Sequence, residues 1–556
     1  MFTIGIDFGT LSGRAVLVDT RDGRELASAV LDYPHAVIDE HLPGSDARLP
    51  AEWALQDPLD YLAVVKETVP QVLDASGVHP SDVVGLGIDF TSCTMLPTKA
   101  DGTPLRVLDE WQDNKHAWVK LWKHHAAQPQ ADRINQVAER RGETWLARYG
   151  GKYSSEWFFS KALEILEDAP DVYQAADRLI EACDWVIWQL TGVETRNVTT
   201  AGYKAMVQDG AFPDRAFFAA LNPDFADVVD EKMMRTLSPL GQRAGGLTAE
   251  WAEATGLQEG TAVAVANVDA HVTSPAVKAT EPGEMVAIMG TSTCHILIGE
   301  NASNVPGMCG VVDGGIVPDA FGYEAGQNSV GDVFAWFVQN AVPGWVERAA
   351  EAEGLDVYGY LEREASKQAP GEHGLVALDW WSGNRSTLVD TDLSGMILGI
   401  TMATRPAEIY RALIEATAFG TREIIEAFER SGVPVRTIVA AGGLPEKSPL
   451  IRQIYADVTG RPLALSGSAQ APALGSSMYA AVAAGVYPDI HAASARMGKR
   501  SDDVVHPNPD AQGTYDELYA EYKRLYDTFG RGDNDAMKRL SALRRSILAE
   551  RAEAAS

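Results

Sequence analysis

Two glycine-threonine bends, about 280 residues apart, constrain this chain of 556 residues more than any other feature. The first lies in Ile4-Gly-Ile-Asp-Phe-Gly-Thr-Leu-Ser-Gly-Arg-Ala-Val-Leu-Val18, where apolar alternation runs to Asp7, breaks at Gly9-Thr10 and resumes from Arg14. Two β-rich runs around small residues predict a hairpin. Val286-Ala-Ile-Met-Gly-Thr-Ser-Thr-Cys-His-Ile-Leu-Ile298 repeats the plan around Gly290-Thr291, with Met289 in the place of Phe8. Self-similarity on that scale predicts two halves built alike. Backbone N–H groups of such bends can point at phosphate, and the neighbouring carboxylate of Asp7 can hold a hydrated Mg²⁺. A plain turn-capping role for Asp7 stands equally open. Facing one cleft, the two bends would grip a triphosphate from both sides.

A chain of this length exceeds one core and predicts two domains of roughly 200–280 residues each. The formal charge is −30, and no basic run offsets it. That argues against nucleic acid or an anionic membrane as a partner. It also means that an anionic ligand must be held by local devices: backbone N–H groups, a metal, one or two lysines. Cys93, Cys183, Cys294 and Cys309 form no C-x-x-C pair and no zinc-like cluster. They read as reduced thiols of a cytoplasmic protein. The chain opens directly into a strand, and no window has the length and apolarity of a membrane span.

After the first hairpin, Glu25 to Leu31 predicts a third strand, and Asp60 to Ala75 a helix with Leu62, Val65, Val69 and Val72 on one face. The run from Val83 ends in Asp89 and small hydroxyl residues, which reads as a buried strand delivering a loop to a cleft. Thr437 to Gly443 is its counterpart in the second half. Residues 116–190 are helix-rich and aromatic, with Trp118, Trp122, Trp145, Trp157, Trp185 and Trp188 as core or groove lining. Pro406 to Arg430 is a long amphipathic helix whose Ala416-Thr-Ala-Phe-Gly420 would let another helix cross closely. A last helix over about 514–529 and a charged tail close the chain.

Asp269 is the sharpest chemical candidate: it follows an apolar strand, in a loop with His271 near the expected domain boundary. A carboxylate there could take a proton from a hydroxyl and aim it at a γ-phosphate, or could cap the helix that follows. Lys204, among small and apolar neighbours, could bond sugar oxygens or the transferring phosphoryl group, or be solvated. Glu324 could bind a polyol hydroxyl or cap a helix. Gly442-Gly443-Leu-Pro-Glu-Lys447 follows a buried strand, and glycines there let a flat base lie on backbone. This is not a Walker A loop, and no G-x-G-x-x-G stands between strand and helix. His116, His124 and His125 lack a matching ligand set for zinc and read as surface or groove histidines.

Gly5-Ile-Asp-Phe-Gly-Thr10, Met289-Gly-Thr-Ser-Thr-Cys-His295 and Ala441-Gly-Gly-Leu444 together resemble the phosphate and adenosine segments of the FGGY carbohydrate kinases. These belong to the actin-like, ribonuclease-H-like ATPases. Asp89 to Pro97, Lys120 to Gln128, Ala201 to Lys204, Asn267 to Val272, Tyr323 to Gln327 and Asp379-Trp-Trp381 resemble the members that act on L-ribulose in bacterial arabinose use. The resemblance spans roughly residues 3 to 490. It implies an α/β protein with two ribonuclease-H-like domains around a cleft. Residues 1–280 would bind sugar, with a helical insertion over about 116–190; residues 281–495 would bind nucleotide; 496–556 would form C-terminal helices and tail. It implies ATP and Mg²⁺ as cofactors and phosphorylation of the 5-hydroxyl of L-ribulose. By residue, Asp269 matches the catalytic base and Asp7 the carboxylate near Mg²⁺. Gly9, Thr10, Gly290, Thr291 and Ser292 match the phosphate bends; Gly442, Gly443 and Lys447 fall on the nucleotide side. Ser92, Lys204 and Glu324 match sugar-holding positions. Family members often carry Trp-x-Asp where this chain has Trp122-Lys-His124, so Trp122 is kept only as a groove wall. A homodimer is compatible with the family. The alternatives are a kinase for D-ribulose, D-xylulose or glycerol, or an actin-like ATP-driven switch, which would more often append a peptide-binding domain.

Overall fold

A computed structural model describes residues 1–555. The two hairpins seed two seven-stranded sheets of matching plan. In the first, Arg24–Asp32, Ser12–Asp19 and Phe2–Phe8 form an antiparallel meander. Val83–Phe90 and then Ala262–Ala264 follow in parallel, and Arg243–Gly246 closes the edge antiparallel. In the second, Phe321–Gln327, Thr293–Gly299 and Glu284–Met289 repeat the meander. Thr437–Ala441 and Leu463–Ser466 follow in parallel, and Arg500–Val505 is the antiparallel edge. Thr437–Ala441 thus holds the place in its sheet that Val83–Phe90 holds in the first. Strands buried on both faces read as unbroken apolar runs, which is why these two central strands were legible.

Local signals placed the first long helix. Asp57 accepts the Leu59 N–H at 3.0 Å, Pro58 opens Pro58–Ser76, and Gly77 ends it at φ 67°. Val65, Val69 and Val72 are buried, whereas Leu62 is only half-buried.

Three readings need correction. The helical insertion reaches beyond residue 190: Phe217, Phe218, Leu221, Phe225 and Val228 share one core with Trp145, Tyr153, Trp157 and Phe159. Residues 496–556 do not stand apart, because Arg500–Val505 completes the second sheet and Pro509–Tyr526 buries Tyr515, Tyr519, Tyr522 and Tyr526 in that half's core. The charged segment after it is a helix, Ala536–Ala555; Ser556 lies outside the described residues. Helix Pro449–Thr459 does pack on Pro406–Arg430, although Gly420 itself faces Gln327 and Asp379. His116 and His124 are buried, not at the surface. His124 Nε2 lies 3.0 Å from Glu164, which also pairs with Lys120 at 2.8 Å, and burial pushes both imidazoles down to about 3.

A second close crossing joins the halves. Helix Ala471–Ala483, from the second half, lies directly on Phe2–Phe8 and Val83–Phe90 of the first sheet, and helix Asp269–Ala276 packs on it. Three sheet glycines make room: Gly5 beneath Ala473 O, Gly87 beneath Ser476 O, and Gly85, where a Cβ would come within 2.6 Å of Ala480 O. Helix carbonyls cannot rotate away as a side-chain tip can. Gly87→Ala is therefore expected to cost about 1–3 kcal/mol, read as a lowered thermal midpoint. Gly513→Ala, at a helix position with open space, should leave the midpoint unchanged or raise it.

Candidate active site

Both bends turn on the same internal bond. The Gly9 N–H donates to Ser12 O at 3.0 Å and the Gly290 N–H to Ser292 O at 2.9 Å, so the second bend is one residue tighter. Each is fixed from behind. Gln56 Nε2 donates to Thr10 O at 2.8 Å, Trp122 Nε1 to Thr10 Oγ1 at 3.0 Å, and Tyr33 to Gly9 O at 2.9 Å. The Val330 and Gly331 N–H groups donate to Thr291 O and Gly290 O, each at 2.9 Å, tying the second bend to the start of helix Gly331–Asn340.

The bends meet at one cavity of about 200 Å³, which Thr10 lines from the first half and Ser292 from the second, with Ser92, Lys204, Asp269 and Glu324. Gly290 and Thr291 are exposed beside it. Gly442, at φ 93°, lies against the Met289 backbone directly behind the second bend, where any side chain would strike Met289 O. Gly443 has open space before it. Lys447 is exposed at the end of the short helix Gly443–Lys447 and is not part of the cavity wall.

Asp269 opens helix Asp269–Ala276, and its Oδ1 accepts the Ala270 N–H at 2.6 Å, so it takes part in the helix start while still lining the cavity. Burial, followed by the charge of Asp7, pushes its carboxyl up to about 7. That suits a base working near neutrality. Asp7 and Asp89 are partners in register across the two central strands, with Asn267 next to Asp89. Asp89 is fully buried; Ser476 Oγ donates to its Oδ2 at 2.5 Å, and its Oδ1 has no partner. Burial and then the charge of Asp7 hold the Asp89 carboxyl well above its ordinary range. Burial also raises Asp7, against the pull of Asp89 and Arg14.

Lys204 ends helix Val198–Lys204, whose cap is Asn197 accepting the Thr200 N–H at 2.7 Å. It is buried and pairs with Glu324 at 2.9 Å, which excludes the solvated role. Glu324 lies within strand Phe321–Gln327, which excludes helix capping. The pair joins the halves. His271 Nε2 lies 3.3 Å and Arg385 Nη2 3.7 Å from the same carboxylate. Burial opposes both charges, yet their mutual attraction wins: Lys204 is held above its ordinary value and Glu324 well below.

Two charged wall residues were not singled out from sequence: Glu156 and Arg385. Behind the wall, and likewise missed, is Lys161, whose Nζ donates to Cys93 O at 2.6 Å and Leu121 O at 2.7 Å, pinning the Ser92–Cys93 turn where Cys93 sits at φ 65°. A lysine within the apolar run Phe158-Phe-Ser-Lys-Ala-Leu163 was the available signal. A larger cavity of about 460 Å³ on the second half is lined by Arg422 and Arg461, but both are already paired, with Asp516 and Glu426 and with Glu429.

Two sheets of ribonuclease-H-like plan, sharing a cleft where two glycine bends meet a half-buried carboxylate, define a two-domain carbohydrate kinase of the actin-like ATPase fold. The chain belongs to the FGGY family of carbohydrate kinases: the family's N-terminal domain matches residues 2–274 and its C-terminal domain residues 285–484. It is 56% identical to the ribulokinase of Mycolicibacterium smegmatis, over 99% of this chain and 98% of that one. It is 54% identical to the ribulokinase of Geobacillus thermodenitrificans, over 97% and 96%. Solved structures with the same fold include a ligand-bound xylulose kinase from Lactobacillus acidophilus, at TM-score 0.79 and 19% identity, covering 95% of this chain and 98% of that one. A xylulose kinase from Rhodospirillum rubrum matches at TM-score 0.76 and 21% identity, covering 95% and 99%. Among the described residues no helix is long and apolar enough to cross a membrane.

Proposed function

We propose that this chain transfers the γ-phosphoryl group of ATP to the 5-hydroxyl of L-ribulose, giving L-ribulose 5-phosphate in arabinose use in the cytoplasm. The observation that carries the chemistry is Asp269 beside the Lys204–Glu324 pair in the one cavity that both bends line. The choice of sugar is supported by the ribulokinases that match nearly end to end.

Phosphoryl transfer has a loose transition state, so the protein's work is positioning and charge neutralisation. Asp269 accepts the hydroxyl proton as the oxygen meets the γ-phosphorus. Lys204 donates to sugar oxygens, Glu324 accepts from a hydroxyl, and the backbone around Ser92 fixes the chain of the sugar. Thr10, Ser292 and the bend N–H groups other than those of Gly9 and Gly290 hold phosphate oxygens, and Gly442–Gly443 offers bare backbone to the base. Lys447 is placed on the outer nucleotide side. Among the described residues no group of three or more side chains could hold a metal alone. A nucleotide-borne Mg²⁺ needs only one or two carboxylates, since phosphates and water supply the rest. Asp7, with the unpartnered Oδ1 of Asp89 beside it in register, fits that requirement. When bound there, the ion would offset the negative charge of the phosphates.

The test is a coupled assay of ADP release with ATP and each of L-ribulose, D-ribulose, D-xylulose and glycerol, with ³¹P NMR locating the ester on the product. L-Ribulose is expected to give the highest kcat/KM and a 5-phosphate. Faster turnover of another acceptor, or ATP hydrolysis indifferent to all four, would overturn the assignment.

A further inference from the structure

We infer that Arg385 is a sugar-binding residue, a guanidinium carried by the second half onto the ligand held by Lys204 and Glu324. The inference rests on the ketopentose reading of the cavity and names a specificity contact within it.

Arg385 lines the cavity and, among the described residues, donates no hydrogen bond to protein. Its nearest carboxylate is Glu324, at 3.7 Å from Nη2, beyond hydrogen-bond reach. A guanidinium carries five donors in a fixed fork, and a half-buried one without acceptors is poised for a ligand. Neutral sugar oxygens suit it, because its nearest carboxylate, Glu324, is the one that Lys204 already neutralises.

Its placement is built. The side chain lies flat on Gly326, where a Cβ would come within 2.6 Å of Arg385 Cδ and 2.8 Å of Nε. The Gly326 N–H donates to Ser386 Oγ at 3.2 Å, seating the next residue on the same strand. Beyond it, Asn384 and Asp390 exchange two backbone bonds of 2.8 Å, closing residues 384–390 into a loop. The C-terminal segment holds that loop from outside: Tyr526 OH lies 2.5 Å from Thr387 Oγ1, and Lys538 pairs with Asp390 at 2.6 Å. So much support for a side chain with no protein partner is what a binding group requires.

The experiment is steady-state kinetics of the purified full chain with L-ribulose and ATP varied separately, comparing wild type with R385Q, R385K and G326A. R385Q is expected to raise the KM for L-ribulose about 10–100-fold, the scale of a lost charge-assisted hydrogen bond. The KM for ATP and kcat should stay within about threefold. R385K should recover only part, because an ammonium lacks the fork. G326A keeps the guanidinium but pushes it off its seat, so it should shift the same KM in the same direction by less, and it carries the test should R385Q fail to fold. An unchanged sugar KM in R385Q and G326A would overturn the inference. So would a loss confined to kcat, which would place Arg385 on the phosphoryl group instead. Wild type that turns over no ketopentose would defeat the substrate reading, a separate result.

Discussion

Asp269→Asn is expected to lower kcat by about 10²–10⁴-fold, the usual scale for loss of a general base, while the KM for ATP changes little. The asparagine keeps the size of the side chain and its acceptor for the Ala270 N–H, so the helix start survives and only the proton acceptor is lost. The pH profile carries the same idea. Burial and the neighbouring Asp7 raise the Asp269 carboxyl to about 7, so in wild type kcat/KM should climb as pH rises through that value. The linkage has the opposite sign for stability. Because the folded-state value lies above the unfolded one, this group's stabilising contribution is full below the ordinary aspartate range and is lost as pH rises through about 7. Above pH 7 the asparagine variant should therefore melt no lower than wild type while being far less active. Near-normal turnover in the variant would remove Asp269 from the mechanism.

Lys204→Met should be the most damaging single change to the sugar site. It strips the near counter-charge from the buried Glu324, whose remaining cationic neighbour, Arg385, stands at 3.7 Å. Leaving one partner of a buried pair uncompensated costs about 3–5 kcal/mol, and here the pair also bridges the two halves. The variant should melt well below wild type and lose turnover through a raised sugar KM. The double variant Lys204→Met, Glu324→Met separates the two effects, since an apolar pair of similar volume is often neutral for stability. It should regain most of the lost midpoint and none of the sugar turnover. A Lys204→Met protein with wild-type melting and wild-type KM would mean that the pair is neither a bridge nor a binding group.

How much was legible depended on whether a signal was local. Gly9-Thr10 and Gly290-Thr291 announced themselves because a hairpin is written in a dozen consecutive residues, and the two central strands because burial on both faces leaves an unbroken apolar run. Family motifs then tied those local signals to a kinase. Arg385 was missed because the nearby Asp379-Trp-Trp381 says nothing of what it packs on; its meaning lies in Gly326, a strand away, and in Tyr526 and Lys538, which hold its loop. Asp89 was read as the end of a strand, and only the parallel register with Asp7 makes it half of a carboxylate pair. His124 looked like a surface residue because its partner, Glu164, is 40 positions away.

By itself, then, the chain's sequence determined the two-fold plan and the bends and offered the candidates for the reacting groups, since these follow from short-range pattern and residue chemistry. Only the tertiary structure decided which charges neutralise one another. Lys204 meets Glu324 across 120 positions, and Ala471–Ala483 reaches back to rest on Gly5 and Gly87. Such contacts depend on burial and close approach between segments that share no local code. Burial is also what drives Asp269 upward in pKa while Lys204 and Glu324 hold each other charged, and it is a property of the packed molecule alone.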